Sequence, residues 1–192
     1  MIFKVQPDVR QFQQFALSID DVEDKMGEDC LIAMDSRPIA YTENWQPVEL
    51  EFFDEFPGGS ANKAQPDIMI DNLGHLYFSK QAYLACASAL NGMGEWLPVT
   101  HQGSKAYVFN PLTKAEDYNA VDSDNTQYDE WDSLKRVAFL QEPLKSTPLF
   151  KTELDSFRGI YCLEEFKEAV EQAQLNGLIF TDDLSDTPPG MN

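Results

Sequence analysis

Gly159-Ile160-Tyr161-Cys162-Leu163-Glu164-Glu165-Phe166-Lys167-Glu168-Ala169-Val170-Glu171-Gln172-Ala173-Gln174-Leu175-Asn176-Gly177-Leu178-Ile179-Phe180 changes its hydrophobic period twice. The run up to Cys162 is continuously apolar, as a buried strand requires. From Leu163 the apolar residues Phe166, Ala169, Val170 and Ala173 recur on one helical face, and Glu164, Glu165, Lys167, Glu168 and Glu171 lie outside it. Lys167 and Glu171 stand four apart, which suits an ion pair on that helix. Asn176-Gly177 supplies the stop, and Leu178-Ile179-Phe180 reads as a closing strand.

The same design occurs earlier in the chain. Ile68-Met69-Ile70, a turn over residues 72–74 and Leu76-Tyr77-Phe78 predict a hairpin, with Ser79 as the N-cap of a helix. That helix carries Ala82, Tyr83, Cys86, Ala89 and Leu90 on one face and stops at Asn91-Gly92. Further strands are predicted over residues 97–100, 106–109 and 137–140. Two strand-helix units among strands of this length give an α+β fold, with a mixed, mainly antiparallel sheet on which both units pack.

Upstream, residues 2–5 read as a strand and 8–17 as a helix, followed by the acidic run Asp20-Asp21-Val22-Glu23-Asp24. Val48, Leu50 and Phe52 alternate with Glu49 and Glu51, the period of a half-buried strand, until Phe56-Pro57-Gly58-Gly59-Ser60 interrupts it. The expected organisation is an N-terminal α/β segment over residues 1–65 packed on a main domain over 66–184, with a loose tail over 185–192.

The chain has 192 residues, 43% hydrophobic and 12% aromatic, enough apolar surface for a real core. Fourteen basic against 33 acidic residues give a net charge of -19, which repels nucleic-acid phosphates and anionic lipid and favours cationic partners. High solubility is the other use of such a charge. No stretch reads as a signal peptide or a membrane span. Cys30, Cys86 and Cys162 are far apart and odd in number, so reduced thiols fit better than disulfides or zinc, and the expected setting is the cytoplasm.

Catalytic patterns are weak. His75 and His101 both fall in turns and read as exposed turn residues, and Cys86 and Cys162 read as core. Residues 122–132 are rich in carboxylates, but calcium-loop spacing fails: Gln127 stands where the turn glycine belongs and Ser133 where the closing glutamate belongs. Gly58-Gly59-Ser60 lacks the Gly-Lys-Ser/Thr ending of a phosphate loop. No pair of carboxylates stands out as a hydrolase pair, and no cofactor or metal is expected.

Binding patterns are stronger. Asp124, Tyr128, Asp129, Glu130, Trp131 and Asp132 mix aromatics with acids in an expected loop, and Phe53, Asp54 and Glu55 form a second such cluster. Rings supply buried area, and carboxylates meet Arg or Lys of a partner.

Residues 66–183 resemble a family of immunity proteins of bacterial polymorphic toxin systems, formerly a domain of unknown function. The likeness is carried by Pro66-Asp67-Ile68, Leu76-Tyr77-Phe78-Ser79, Glu95-Trp96-Leu97-Pro98-Val99, Tyr107-Val108-Phe109-Asn110-Pro111, Asp122-Ser123, Val137-Ala138-Phe139-Leu140, Pro148-Leu149-Phe150 and the closing unit already quoted. One departure is that Leu163 stands where a Ser cap would open the last helix. The resemblance implies an antitoxin that binds its cognate toxin stoichiometrically, with no catalytic residues to carry over. The alternatives are an acidic adaptor or nucleic-acid mimic, and a carboxylate-dependent hydrolase. Edge strands of such a fold leave a homodimer open.

Overall fold

The structure, a computed structural model, describes residues 1–54, 63–131 and 133–185. The turn read at 56–60, the candidates Glu55 and Asp132, and residues 186–192 of the expected tail lie outside the described residues. In chain order the elements are β1 (Ile2–Pro7), β2 (Gln14–Leu17), α1 (Ile19–Met26), β3 (Val48–Phe53), β4 (Ile68–Ile70), β5 (Leu76–Phe78), α2 (Lys80–Cys86), β6 (Gly94–His101), β7 (Ser104–Pro111), β8 (Gln127–Tyr128), β9 (Leu134–Arg136), β10 (Leu149–Phe150), β11 (Ile160–Leu163), α3 (Glu164–Gln172) and β12 (Leu178–Thr181).

These elements build the expected α+β fold. A six-stranded sheet has the order β2-β3-β6-β7-β5-β4, a four-stranded sheet the order β10-β11-β1-β12, and β8 and β9 pair as a separate hairpin. The pairings are antiparallel except β3 with β6, where Val48 lies opposite Val99. Residues before 65 contribute to both large sheets: β1 lies between β11 and β12, and β3 bridges β2 and β6.

Two apolar layers explain why some strands read as unbroken hydrophobic runs. Ile68, Ile70, Leu76, Phe78 and Phe109 pack with Phe3, Val5, Cys162, Phe166 and Val170 in one core. Met69, Tyr77, Leu97, Val99 and Val108 pack with Phe15, Val22, Val48 and Leu50 in the second. Neighbouring residues of β4, β5 and β7 therefore point into different cores, so neither face of the sheet can be polar. A third, smaller cluster of Ala115, Ala120, Val137, Leu144, Phe150 and Tyr161 supports the β8–β9 hairpin through Leu134 and Phe139.

Both strand-helix units form, although α2 ends at Cys86, leaving Ala89 and Leu90 in turns before the Asn91-Gly92 stop that the sequence marks. Ser79 Oγ accepts the Ala82 N–H at 3.2 Å, capping α2. No side chain caps α3 at Leu163, where Glu164 and Glu165 complement the helix dipole instead. Lys167 lies 3.4 Å from both Glu164 and Glu171, giving the expected ion pair and a second one.

The N-terminal region differs from the expected helix over residues 8–17. The Asp8 carbonyl closes a single turn onto the Gln11 and Phe12 N–H groups at 3.3 and 3.0 Å. The chain then extends, and Gln14–Leu17 pairs residue by residue with Phe53–Leu50. Sheet pairing, with Phe15 and Leu17 buried at a period of two, overrides a spacing that also fits a helix. The helix is instead the acidic run, α1, capped by Ser18 Oγ on the Asp21 N–H at 3.2 Å. Asp20 and Asp21 sit at its N-terminus, where negative charge is favoured.

Residues 122–140 also differ. The expected strand over 137–140 makes only an isolated bridge, Val121 to Phe139, and the ladder forms earlier, between β8 and β9.

The Asn176-Gly177 stop ties the end of α3 to β4. The Asp67 N–H donates to Asn176 Oδ1 at 2.9 Å, the Asn176 N–H to Asp67 Oδ2 at 3.1 Å, and the Ile68 N–H to the Asn176 carbonyl at 3.1 Å. Gly177 has φ +104°, and a Cβ there would run into the Ile68 carbonyl oxygen. Gly177→Ala is expected to cost about 3 kcal/mol in urea unfolding, combining strain with collision. Gly103→Ala, at φ +77° in open space, should cost only about 1 kcal/mol. Equal costs would remove the role of close approach at Gly177.

Candidate functional site

The turn between β8 and β9 presents the largest exposed side chain among the described residues. Asp129 Oδ1 accepts the N–H groups of Trp131 and Ser133 at 2.8 and 2.9 Å, and the Asp129 N–H donates to the Ser133 carbonyl at 2.9 Å. This Asp-centred turn holds Trp131 outward, 79% exposed, with Tyr128 51% exposed beside it on β8. Glu130 is exposed at the same tip. On the other arm, Leu134 packs into the third cluster and Val137 is buried in it, so the tip stands on an anchored base.

Asp124 is exposed one turn earlier. Its neighbour Asp122 accepts the Asn125 N–H and Nδ2 at 3.2 and 2.8 Å, and Thr126 Oγ1 receives the Ala138 N–H at 3.2 Å. The carboxylate-rich stretch thus shapes its own backbone. No group of three His, Cys, Asp or Glu side chains suited to a metal gathers among the described residues.

The second sequence candidate divides by strand alternation. Phe52 turns inward, edge-on to Tyr77 and His101 with ring centroids 5.0 and 4.9 Å away. Phe53 turns outward at 41% exposure. Asp54 is half-buried, and its Oδ1 is shut from solvent without a hydrogen-bond partner among the described residues. Among the described residues no hydrogen bond or ring contact joins Phe53 and Asp54 to the Trp131 hairpin, so they belong to different elements.

The histidines depart from the exposed turn residues expected of them. His75 is fully buried, with Nδ1 3.1 Å from Asp71 Oδ2, while Asp71 Oδ1 accepts the N–H groups of Leu73 and His75 at 2.9 and 2.8 Å. Burial raises the Asp71 pKa, but the adjoining imidazole and the turn N–H groups outweigh it, so the carboxyl lies below its usual range. His101 is half-buried at the end of β6, and its Nδ1 lies 3.0 Å from the Leu50 carbonyl. Burial pushes all three thiols up, Cys86 to about 12, which opposes their use as thiolate nucleophiles.

One unusual group has no signature in the sequence. Lys151 is completely buried, and its Nζ donates to the carbonyls of Ser36 and Leu73 at 3.0 and 3.1 Å. It clamps the loop near Ser36 to the β4–β5 turn. Burial lowers its pKa from 10.5 to about 8, opposed by the charges of Asp71, Asp155 and Asp35. Between about 8 and 10.5 the unfolded chain therefore holds more protons at this position, so Lys151 makes stability rise with pH across that window.

Lys151→Met removes this titration. Stability of the native chain relative to the variant is expected to grow by about 2 kcal/mol from pH 8 to pH 10 in paired denaturation curves. A constant difference would show that Lys151 titrates alike in the folded and unfolded chains.

No helix among the described residues is long and apolar enough to cross a membrane. Compared with models of known protein families the chain matches none, and a search of curated proteins returns no significant match.

Proposed function

We propose that this chain is an immunity protein: it binds a cognate bacterial toxin one to one in the cytoplasm and blocks it without catalysing a reaction. The reading rests first on the resemblance over residues 66–183. The structural observation that supports it is Trp131, 79% exposed and held outward at an acidic hairpin tip by Asp129. Exposed tryptophans are costly to hydrate and are enriched among residues that dominate binding energy. Beside Tyr128 and Glu130, the ring offers apolar area to a partner whose Arg or Lys side chains meet the carboxylates.

The net charge of -19 attracts a basic toxin and speeds encounter at low salt. Catalysis has less support, because the groups that could carry it are occupied within the fold. His75 is paired with Asp71, the Lys151 ammonium is held by two carbonyls, and the thiols are pushed toward their protonated form.

The test is co-purification with the product of the neighbouring toxin gene, together with rescue of growth. Trp131→Ala is expected to weaken capture by about 2 kcal/mol, roughly thirtyfold in Kd. Glu130→Lys should slow association at low ionic strength and lose its effect as salt rises. Asp129 is left intact in these variants because it builds the turn. Failure of the folded chain to capture or protect would overturn the immunity reading, and full protection by both variants would move the contact surface elsewhere.

A further inference from the structure

A cavity of about 700 Å³ opens where the four-stranded sheet, the β4–β5 turn and the β8–β9 hairpin meet. Its size is that of a site for a small organic ligand. Lys4, Lys135, Arg136 and Arg158 line it against only two carboxylates, Asp71 and Asp155. That is an unusual concentration for a chain with 14 basic and 33 acidic residues.

Three of these cations share with Arg10, Lys80 and Lys105 the lack of a close carboxylate among the described residues. Lys25, Arg37, Lys114, Lys145 and Lys167 each have a carboxylate of their own within 4.0 Å. Lys135, Arg136 and Arg158 have none among the described residues. The charges of Arg136 and Lys4 also act on Asp183 and lower its pKa.

The two carboxylates of the lining do not cancel this charge equally. Asp71 is tied to His75 and the turn N–H groups. Asp155 Oδ2 accepts the Tyr161 hydroxyl at 2.8 Å and the Gly159 N–H at 3.1 Å, while its Oδ1 has no hydrogen-bond partner among the described residues. Burial raises the Asp155 pKa, which favours the neutral acid and leaves the cations less opposed.

We propose that this cavity binds a phosphate monoester of a small hydroxylated molecule, with Arg136 and Arg158 taking the phosphate and Asp155 facing a hydroxyl. Two guanidinium forks lining one space suit a dianion with several acceptor oxygens better than a single carboxylate. The cavity is larger than inorganic phosphate needs, and the partly buried Leu134, Leu154 and Leu184 give it an apolar wall for the body of the ester. A nucleic-acid strand is a poorer occupant, because its flanking phosphates would meet the field of a chain of net charge -19. The site is independent of the Trp131 tip, although β9 forms one wall of it.

The test is calorimetric titration of the full chain at low salt with adenosine 5′-monophosphate and glucose 6-phosphate. Adenosine, glucose and inorganic phosphate serve as the controls. At least one ester is expected to bind with Kd below about 1 mM, and at least about tenfold tighter than each of its own two parts. Arg136→Ala combined with Arg158→Ala should weaken that binding by about tenfold or more, with the unliganded melting temperature unchanged because both side chains are exposed. Amide exchange over residues 134–136 and 154–160 should slow when the ester is bound. Preference for the nucleotide or the sugar ester identifies the body of the ligand. Failure of both esters to outbind inorganic phosphate would overturn the proposal, as would binding that the double variant leaves intact.

Discussion

Strand β1 enters the four-stranded sheet between two strands from the far end of the chain, and its backbone is hydrogen-bonded on both edges. Val5 lies opposite Ile160 of β11 on one side and Phe180 of β12 on the other. Removing β1 would separate β12 from the sheet and open the core to which Phe3 and Val5 belong. The two-residue period gives the same strand a second role, since Lys4 and Gln6 alternate with Phe3 and Val5 and reach the cavity. Core and cavity therefore share one register, and a slip of one residue would exchange their side chains. Pairing the first residues with ones near the end is a long-range closure, which makes folding slower than local pairing would.

The acidic residues have a structural use as well as a surface one. Glu95 accepts the Tyr41 and Thr42 N–H groups and Asn110 Nδ2, fastening the loop after residue 39 to β6 and β7. Glu49 accepts the Gln102 N–H at 2.7 Å and the Thr100 hydroxyl at 2.6 Å across the sheet. Asp67, Asp71, Asp122 and Asp129 each hold turn N–H groups in the same manner. Such bonds use ionised acceptors and are stronger than neutral ones. By contrast, the surface ion pairs are mostly local, as Lys25 with Asp21 and Lys145 with Glu142, and contribute little to stability. Part of the negative charge thus builds loops, while the exposed acids of the Trp131 tip face outward.

Charge is also segregated. The hairpin that lifts Glu130 and Trp131 into solvent carries Lys135 and Arg136 on its returning strand, at the cavity. Opposite charges on one short hairpin keep it from being a uniformly repulsive element. They also give its two arms different chemistry, one suited to a basic protein surface and the other to a small anion.

The sequence by itself determined the elements whose signals are local. Period and punctuation marked β4, β5, α2, β11, α3 and β12, and Ser79 and Asn176-Gly177 marked ends the structure keeps. The mixture of acids and aromatics marked the Trp131 stretch, but that Tyr128 and Trp131 face outward was decided by the β8–β9 hairpin. Tertiary structure alone decided the assignments that depend on distant partners. Gln14–Leu17 became a strand because β3 lies beside it, not because its own residues exclude a helix. His75 and Lys151 became interior groups because a hairpin turn and a distant loop close over them, supplying carbonyls and carboxylates no local pattern announces. The cavity draws Lys4, Asp71, Arg136 and Arg158 from four separate segments. Local propensity acts within a few residues, whereas burial and charge environment are set by whichever parts of the chain the sheets bring together.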